Sequence, residues 1–170
     1  QEPLWLLAIC FIFGAINLHL DVDILEFVFG YINIENIFLQ VGGEALTVAI
    51  TEELLKFIVV ILIIYPNKAF DEPFDGIVYS VFVGMGFATA ENLTFVLQGN
   101  TSVALFRMLS AIPAHFVFAV IMGYYLGIAK SRKKKETLFI GLSIIVPIIL
   151  HAIYDYFLYL DFVPGLWIGG

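Results

Sequence analysis

Residues 43–65 read GEALTVAITEELLKFIVVILIIY. A helix that crosses the roughly 30 Å hydrocarbon layer of a bilayer needs about 20 mostly apolar residues, and this stretch has that length. It also carries Glu44, Glu52, Glu53 and Lys56, charges that hydrocarbon does not solvate. The rest of the chain decides which of the two signals to follow. Of its 170 residues, 61% are hydrophobic and 14% charged, against roughly 45–50% and about 25% in soluble domains. A soluble globule of this size cannot hide so much apolar surface. The composition excludes a soluble enzyme, a disordered chain and a disulfide-stapled secreted module. The expected fold is all-α: a polytopic membrane helix bundle, one domain over residues 1–170.

Outward from that stretch, four more apolar runs have spanning length: Pro3–Leu20, Phe74–Leu97, Val103–Ala129 and Thr137–Leu160. With Gly43–Tyr65 they give five spans. Between the first two, Asp21–Gly42 is half apolar and acidic, which suits an interfacial amphipathic helix or a re-entrant piece. The first run lacks a positive n-region and does not read as a signal peptide. The chain opens on Gln1, so trimmed termini and further spans are expected. Lys68 falls between the second and third spans, and the basic run Lys130–Lys135 between the fourth and fifth. Cytoplasmic loops carry the excess of Lys and Arg, so both loops are assigned to the cytoplasmic side. A net charge of −7 argues against a nucleic-acid partner. The partners implied are the lipid bilayer and whatever enters it. Cys10 is the single cysteine and has no internal disulfide partner.

An ionisable residue inside a span is a functional hypothesis by default. Glu52, Glu53 and Lys56 lie in the second span, Glu91 and Asn92 in the third, His115 in the fourth, and His151 and Asp155 in the fifth. Glu52 stands 13 residues from Tyr65, His115 stands 15 from Lys130, His151 stands 14 from Thr137, and Glu91 stands 16 from Asp75. At ~1.5 Å per residue all four fall roughly 20–24 Å from the inner helix ends. Unrelated helix-pair salt bridges have no reason to share a depth, whereas a common site in the outer half of the membrane does. Lys56 is placed to neutralise one of the two glutamates at i,i+3 or i,i+4. Adjacent glutamates point about 100° apart and so face different partners. Asp155, four residues after His151, is placed to fix its tautomer. Pro113 and Pro147 shortly precede the two histidines and are expected to loosen those helices.

Other features read as ordinary. Asp21, Asp23, Glu26, Glu35, Asp71, Glu72 and Asp75 are loop or interface charges, and His19 is interfacial. Arg107 snorkels from the outer end of its span. Gly123-Tyr-Tyr-Leu-Gly127 matches the small-residue motif of helix packing.

Glutamates and histidines in a membrane cavity suit hydrolysis. A buried carboxylate takes a proton from water, and a histidine shares that task or holds the oxyanion at a carbonyl. The same side chains could hold a divalent metal such as zinc, with His115, His151, Glu91 and Glu52 as candidate ligands. Both versions stay open. HExxH, GxSxG and the GxGD half of an aspartyl dyad are all missing.

The ordered pattern Glu52-Glu53-x-x-Lys56, Phe87-x-x-x-Glu91-Asn92, His115, His151-x-x-x-Asp155 resembles the PrsW family of intramembrane proteases, a branch of the group that includes the CAAX prenyl proteases. The resemblance covers roughly Gly42 to Leu160. It implies a membrane endopeptidase of regulated proteolysis, whose best-known substrates are single-span anti-sigma factors cut on the extracytoplasmic side. The prenyl proteases resemble EExxxR, FxxxH and HxxxN. Here Lys56 comes one residue sooner, Glu91 stands at their first His, and Asp155 stands at their Asn. On this resemblance Glu52 or Glu53 is the general base, and His115 and His151 are water, oxyanion or metal partners. Glu91 is a further polar ligand, Asp155 an orienter, and Lys56 and Asn92 are supporting residues. A prenyl-type protease and an ion-coupled transporter are the alternatives, the latter because intramembrane Glu, His and Lys also mark ion paths.

Overall fold

Hydrocarbon offers no hydrogen bonds, so a chain this apolar must satisfy its backbone within each segment, which a helix does. The computed structural model describes residues 2–29, 36–99 and 101–162, and among them there is no strand. The elements are α1 (Leu4–Phe29), α2 (Ile37–Val59) running into a π-helical turn (Val60–Ile64), α3 (Pro73–Leu97), α4 (Thr101–Leu109), α5 (Ala111–Ser131), a short 3-10 turn (Lys133–Lys135) and α6 (Glu136–Phe162). Local chemistry sets several of the ends. Asn36 caps α2 by accepting the Phe38 and Leu39 N–H groups at 3.0 and 3.2 Å, as an N-cap side chain does. Pro73 opens α3, and Asp75 accepts the N–H groups of Asp71 and Glu72 at 2.9 and 2.7 Å.

Three boundaries differ from the sequence expectation. α1 continues past Leu20 to Phe29 and α2 begins already at Ile37. Among the described residues, the stretch 21–42 is therefore the end of one helix and the start of the next, with no separate interfacial or re-entrant element; residues 30–35 lie outside the described residues. The fourth run is broken at Ser110 into α4 and α5. Pro113 explains the break, because it has no N–H to give the carbonyl four residues earlier and sits in the first turn of α5, where that donor is unpaired anyway; Pro147, expected to loosen its helix, lies inside α6 without breaking it. Among the described residues, four helical segments are long and apolar enough to cross a membrane: Leu4–Leu25, Pro73–Leu97, Thr101–Ser131 and Lys133–Leu160. The expected fifth, α2, has the length, at 23 residues before its π turn, but carries too many charges for that class.

The long helices close a ring. α3 packs against α1 and α5, α5 against α6, α6 against α2, and α2 back against α1, while short α4 rests on α3 and α5. The charges of α2 turn into that ring, because lipid lies outside it. One apolar core forms around Leu6, Cys10, Val60, Ile64, Phe70, Tyr79, Val83, Met122 and Leu126. Cys10 is buried there as a free thiol.

α3 and α5 approach backbone to backbone at Gly76 and Gly123, where a Cβ on Gly123 would collide with the Gly76 carbonyl and stand 2.5 Å from the Ile77 Cα. This bears out the packing role of the Gly123/Gly127 motif. Gly123→Ala is expected to push the two helices apart and cost about 1–3 kcal/mol, the usual range for overpacking. A lower unfolding midpoint in an SDS titration of detergent-purified protein checks it.

The two basic loops sit at the same end of the bundle. The Lys130 ammonium donates to the carbonyls of Tyr65 and Asn67, and the Tyr65 hydroxyl donates to Glu136 at 2.7 Å.

Candidate active site

Lys56 organises the site from one turn of α2. Its ammonium donates to Glu52 Oε2 at 3.1 Å and to Glu53 Oε1 at 2.9 Å, so it binds both glutamates, where the spacing suggested only one. Its third contact is His115 Nδ1 on α5, at 3.1 Å. An ammonium has three N–H groups and accepts nothing. His115 Nδ1 must therefore accept, and its ring proton sits on Nε2, which faces Glu91 Oε2 of α3 at 3.1 Å. The Phe87 ring lies 4.3 Å below the ammonium, a cation–π contact that helps hold a charge away from water.

His151 of α6 closes the cluster from the other side. Its Nδ1 lies 3.0 Å from Glu53 Oε1, and its Nε2 lies 3.3 Å from Asp155 Oδ2 and 4.0 Å from Glu52 Oε2. Its ring stacks on Phe118 at 4.9 Å and meets His115 edge-on at 5.1 Å. Glu53 is 0% exposed, and Lys56, Glu52, His115, His151 and Asp155 are each at 5% or less. So much buried charge is tolerable only because each group has a partner.

A cavity of about 30 Å³ opens among these side chains, lined by Glu52, Glu91, Arg107, His115, His151, Tyr154, Asp155 and Tyr159. That is room for a water molecule among polar partners. The two adjacent glutamates divide here. Glu52 lines the cavity, and Glu53 lies behind it, between Lys56 and His151.

The structure thus brings together Glu52, Glu53, Lys56, Glu91, His115, His151 and Asp155. It does not bring Asn92 to the cavity; the Asn92 Oδ1 is buried without a hydrogen-bond partner. Two readings are corrected. Arg107 does not snorkel: it points inward from α4, pairs with Glu91, lies 4.5 Å over the Phe95 ring and lines the cavity. The break at Ser110 turns α4 over the cavity and carries Arg107 in. Asp21 is not an interface charge. It is 2% exposed, because α1 continues past it, and it stands within electrostatic reach of Lys56, Glu91 and His151. One turn earlier on the same face, Asn17 donates to the Leu55 carbonyl at 3.0 Å. Asp75 is likewise buried, as the turn-capping acid of α3. Tyr154 and Tyr159 were not anticipated. Their signal was their spacing, since Tyr154 stands at i+3 from His151 and Tyr159 at i+4 from Asp155, on one helix face.

Fold and site together define a polytopic α-helical membrane protein with an acid–imidazole centre buried between its helices. Comparison with known proteins gives the family. A model described as "PrsW family intramembrane metalloprotease" matches residues 2–168, and the chain belongs to that family. Protease PrsW of Geobacillus kaustophilus is 38% identical over 158 residues, 92% of this chain and 68% of the relative. Protease PrsW of Oceanobacillus iheyensis is 33% identical, over 92% of this chain and 72% of the relative. That of Clostridioides difficile is 32% identical, over 95% and 71%. No solved structure matches. The chain is accordingly a multi-pass membrane protease by family.

The family description includes a metal, and the donor set fits one. One ligand atom from each of Glu52, Glu53, His115 and His151 lies within 4.8 Å of the others, all four residues are buried, and the second oxygen of Glu53 has no hydrogen-bond partner. Carboxylate oxygen and imidazole nitrogen are donors that zinc takes. Lys56 is the cation that competes for the same carboxylates.

Proposed function

We propose that this chain hydrolyses a peptide bond of a membrane-anchored protein, with Glu52, His115 and His151 at the reacting centre. The observation that supports it is the clustering of two glutamates and two imidazoles, from three helices, beside a buried cavity with room for water, on whose wall Glu52 and both imidazoles stand. Glu52, the glutamate on the cavity wall, is the general base. It takes a proton from water as the water oxygen bonds to the scissile carbonyl carbon. It returns that proton to the leaving nitrogen as the C–N bond breaks, giving a carboxyl and an amine. Glu53 holds Nδ1 of His151 and Asp155 stands 3.3 Å from its Nε2, Glu91 holds Nε2 of His115, and Lys56 keeps the glutamate pair from repelling each other. Glu52, Glu53, His115 and His151 are the residues that would hold a divalent metal, which when bound polarises a carbonyl and acidifies water.

The Lys68 and Lys130–Lys135 loops are cytoplasmic by their charge, and cleavage falls in the outer half of the bilayer. Glu91 in the last turns of α3 and His115 in the first turns of α5 support that level. A single-span anti-sigma factor is the substrate type this reading favours.

The test is metal analysis of detergent-purified protein alongside the His115→Ala/His151→Ala variant, with cleavage of a single-span substrate read on both. The expected result is stoichiometric zinc and cleavage in the wild type, and neither in the variant. Cleavage by metal-free wild type would leave a glutamate–histidine hydrolase. Failure to cleave any single-span substrate, with ion flux in proteoliposomes, would overturn the reading in favour of a transporter.

A further inference from the structure

The oxygen of a peptide carbonyl becomes an anion when water adds to it, and the wall it meets here is rich in carboxylates. Glu52, Glu91 and Asp155 all line the cavity, and each disfavours a second negative charge nearby. Whether or not a metal shares that charge, hydrolysis at this place is favoured by hydrogen-bond donors not already committed elsewhere. The cluster's own cations are committed. Lys56 gives its three N–H groups to Glu52, Glu53 and His115. His115 is occupied by Lys56 at one nitrogen and Glu91 at the other. Each ring nitrogen of His151 faces a carboxylate.

Among the residues lining the cavity, two donors are buried without a hydrogen-bond partner. Arg107 spends Nη2 on Glu91, but its Nε is buried with no hydrogen-bond partner. The Tyr154 hydroxyl is also buried with no partner. Both residues line the same cavity, Arg107 from α4 and Tyr154 from α6. A buried donor left unpaired is destabilising, so two at one cavity call for a ligand. We infer that Arg107 Nε–H and Tyr154 O–H together form the oxyanion hole of this protease, binding the scissile carbonyl oxygen as it becomes negative. The inference rests on the peptide-hydrolase reading above and adds two catalytic residues to it. Water supplies the new C–O bond, the carbonyl π pair moves to the oxygen held by the two donors, and it returns when the C–N bond breaks.

The experiment uses Tyr154→Phe, which removes one oxygen, and Arg107→Lys, which keeps a cation for Glu91 but loses the guanidinium Nε–H. Each is expected to lower kcat on a single-span substrate by about 10²–10³-fold, the usual cost of one oxyanion donor, with KM little changed. Binding of a phosphinate peptide, a tetrahedral anion, should weaken in step with kcat. Binding of the same peptide with its scissile bond N-methylated should not. Wild-type kcat in both variants, a loss confined to one, or lost kcat with undiminished phosphinate binding would overturn the inference. SDS unfolding midpoints identify a folding defect in Arg107→Lys, and Tyr154→Phe then carries the test through the same two binding assays. If the wild type cleaves nothing, the hydrolase reading fails first and this one with it.

Discussion

Glu52→Gln is expected to lower kcat on a single-span substrate by about 10²–10⁴-fold, the range for losing a general base, with little loss of folded protein. Glu53→Gln is expected to do the reverse, lowering the unfolding midpoint first and activity second. The two residues are adjacent in sequence and differ by about 100° in direction. Glu52 faces the cavity, where a water can be deprotonated, and its amide isostere still accepts from Lys56. Glu53 faces away from it, wedged between Lys56 and His151 and wholly buried. Loss of its charge leaves Lys56 with one carboxylate and loosens His151. Activity assays beside SDS titrations separate the two outcomes, and equal, mild effects from both variants would count against Glu52 as the base.

Lys56→Met is expected to cost about 3–5 kcal/mol, the range for removing one partner of a buried ion pair. The methionine matches the stem but leaves Glu52 and Glu53, buried close together, without their shared cation. His115 Nδ1 loses its donor at the same stroke. Zinc should restore part of the loss, since a cation that binds only the folded cluster stabilises it by mass action. SDS unfolding midpoints with and without zinc measure both effects. A variant as stable as wild type in the absence of metal would show that Lys56 does not hold the cluster together.

The bundle was legible because length and apolarity dictate spanning helices whatever the side chains do next. The site was legible for a related reason: charge inside a span is expensive, so each such residue had to meet another. Glu52, Glu91, His115 and His151 converge as their equal depths suggested. Illegible were the places where a helix end decides direction. Arg107 reads as a snorkelling residue until the chain turns at Ser110, a turn set by Pro113 three residues on. Asp21 reads as a loop charge until α1 runs on to Phe29. Tyr154 carries no charge to draw attention, so its i+3 spacing from His151 gains meaning only from the lining of the cavity. Which glutamate faces the cavity also lies beyond the sequence, since the direction of α2 is fixed by its packing against α1 and α6.

A chamber of about 30 Å³ admits a water and refuses an amino-acid residue. For a protease built this way, the resting state is latent toward the many proteins that diffuse past it in the bilayer. On the proposed reading, cutting requires the helices around that chamber to part far enough to admit a peptide. The clock of such an enzyme is then set by opening and closing, as in many enzymes with lids. Its selectivity would favour substrate helices that unwind most readily.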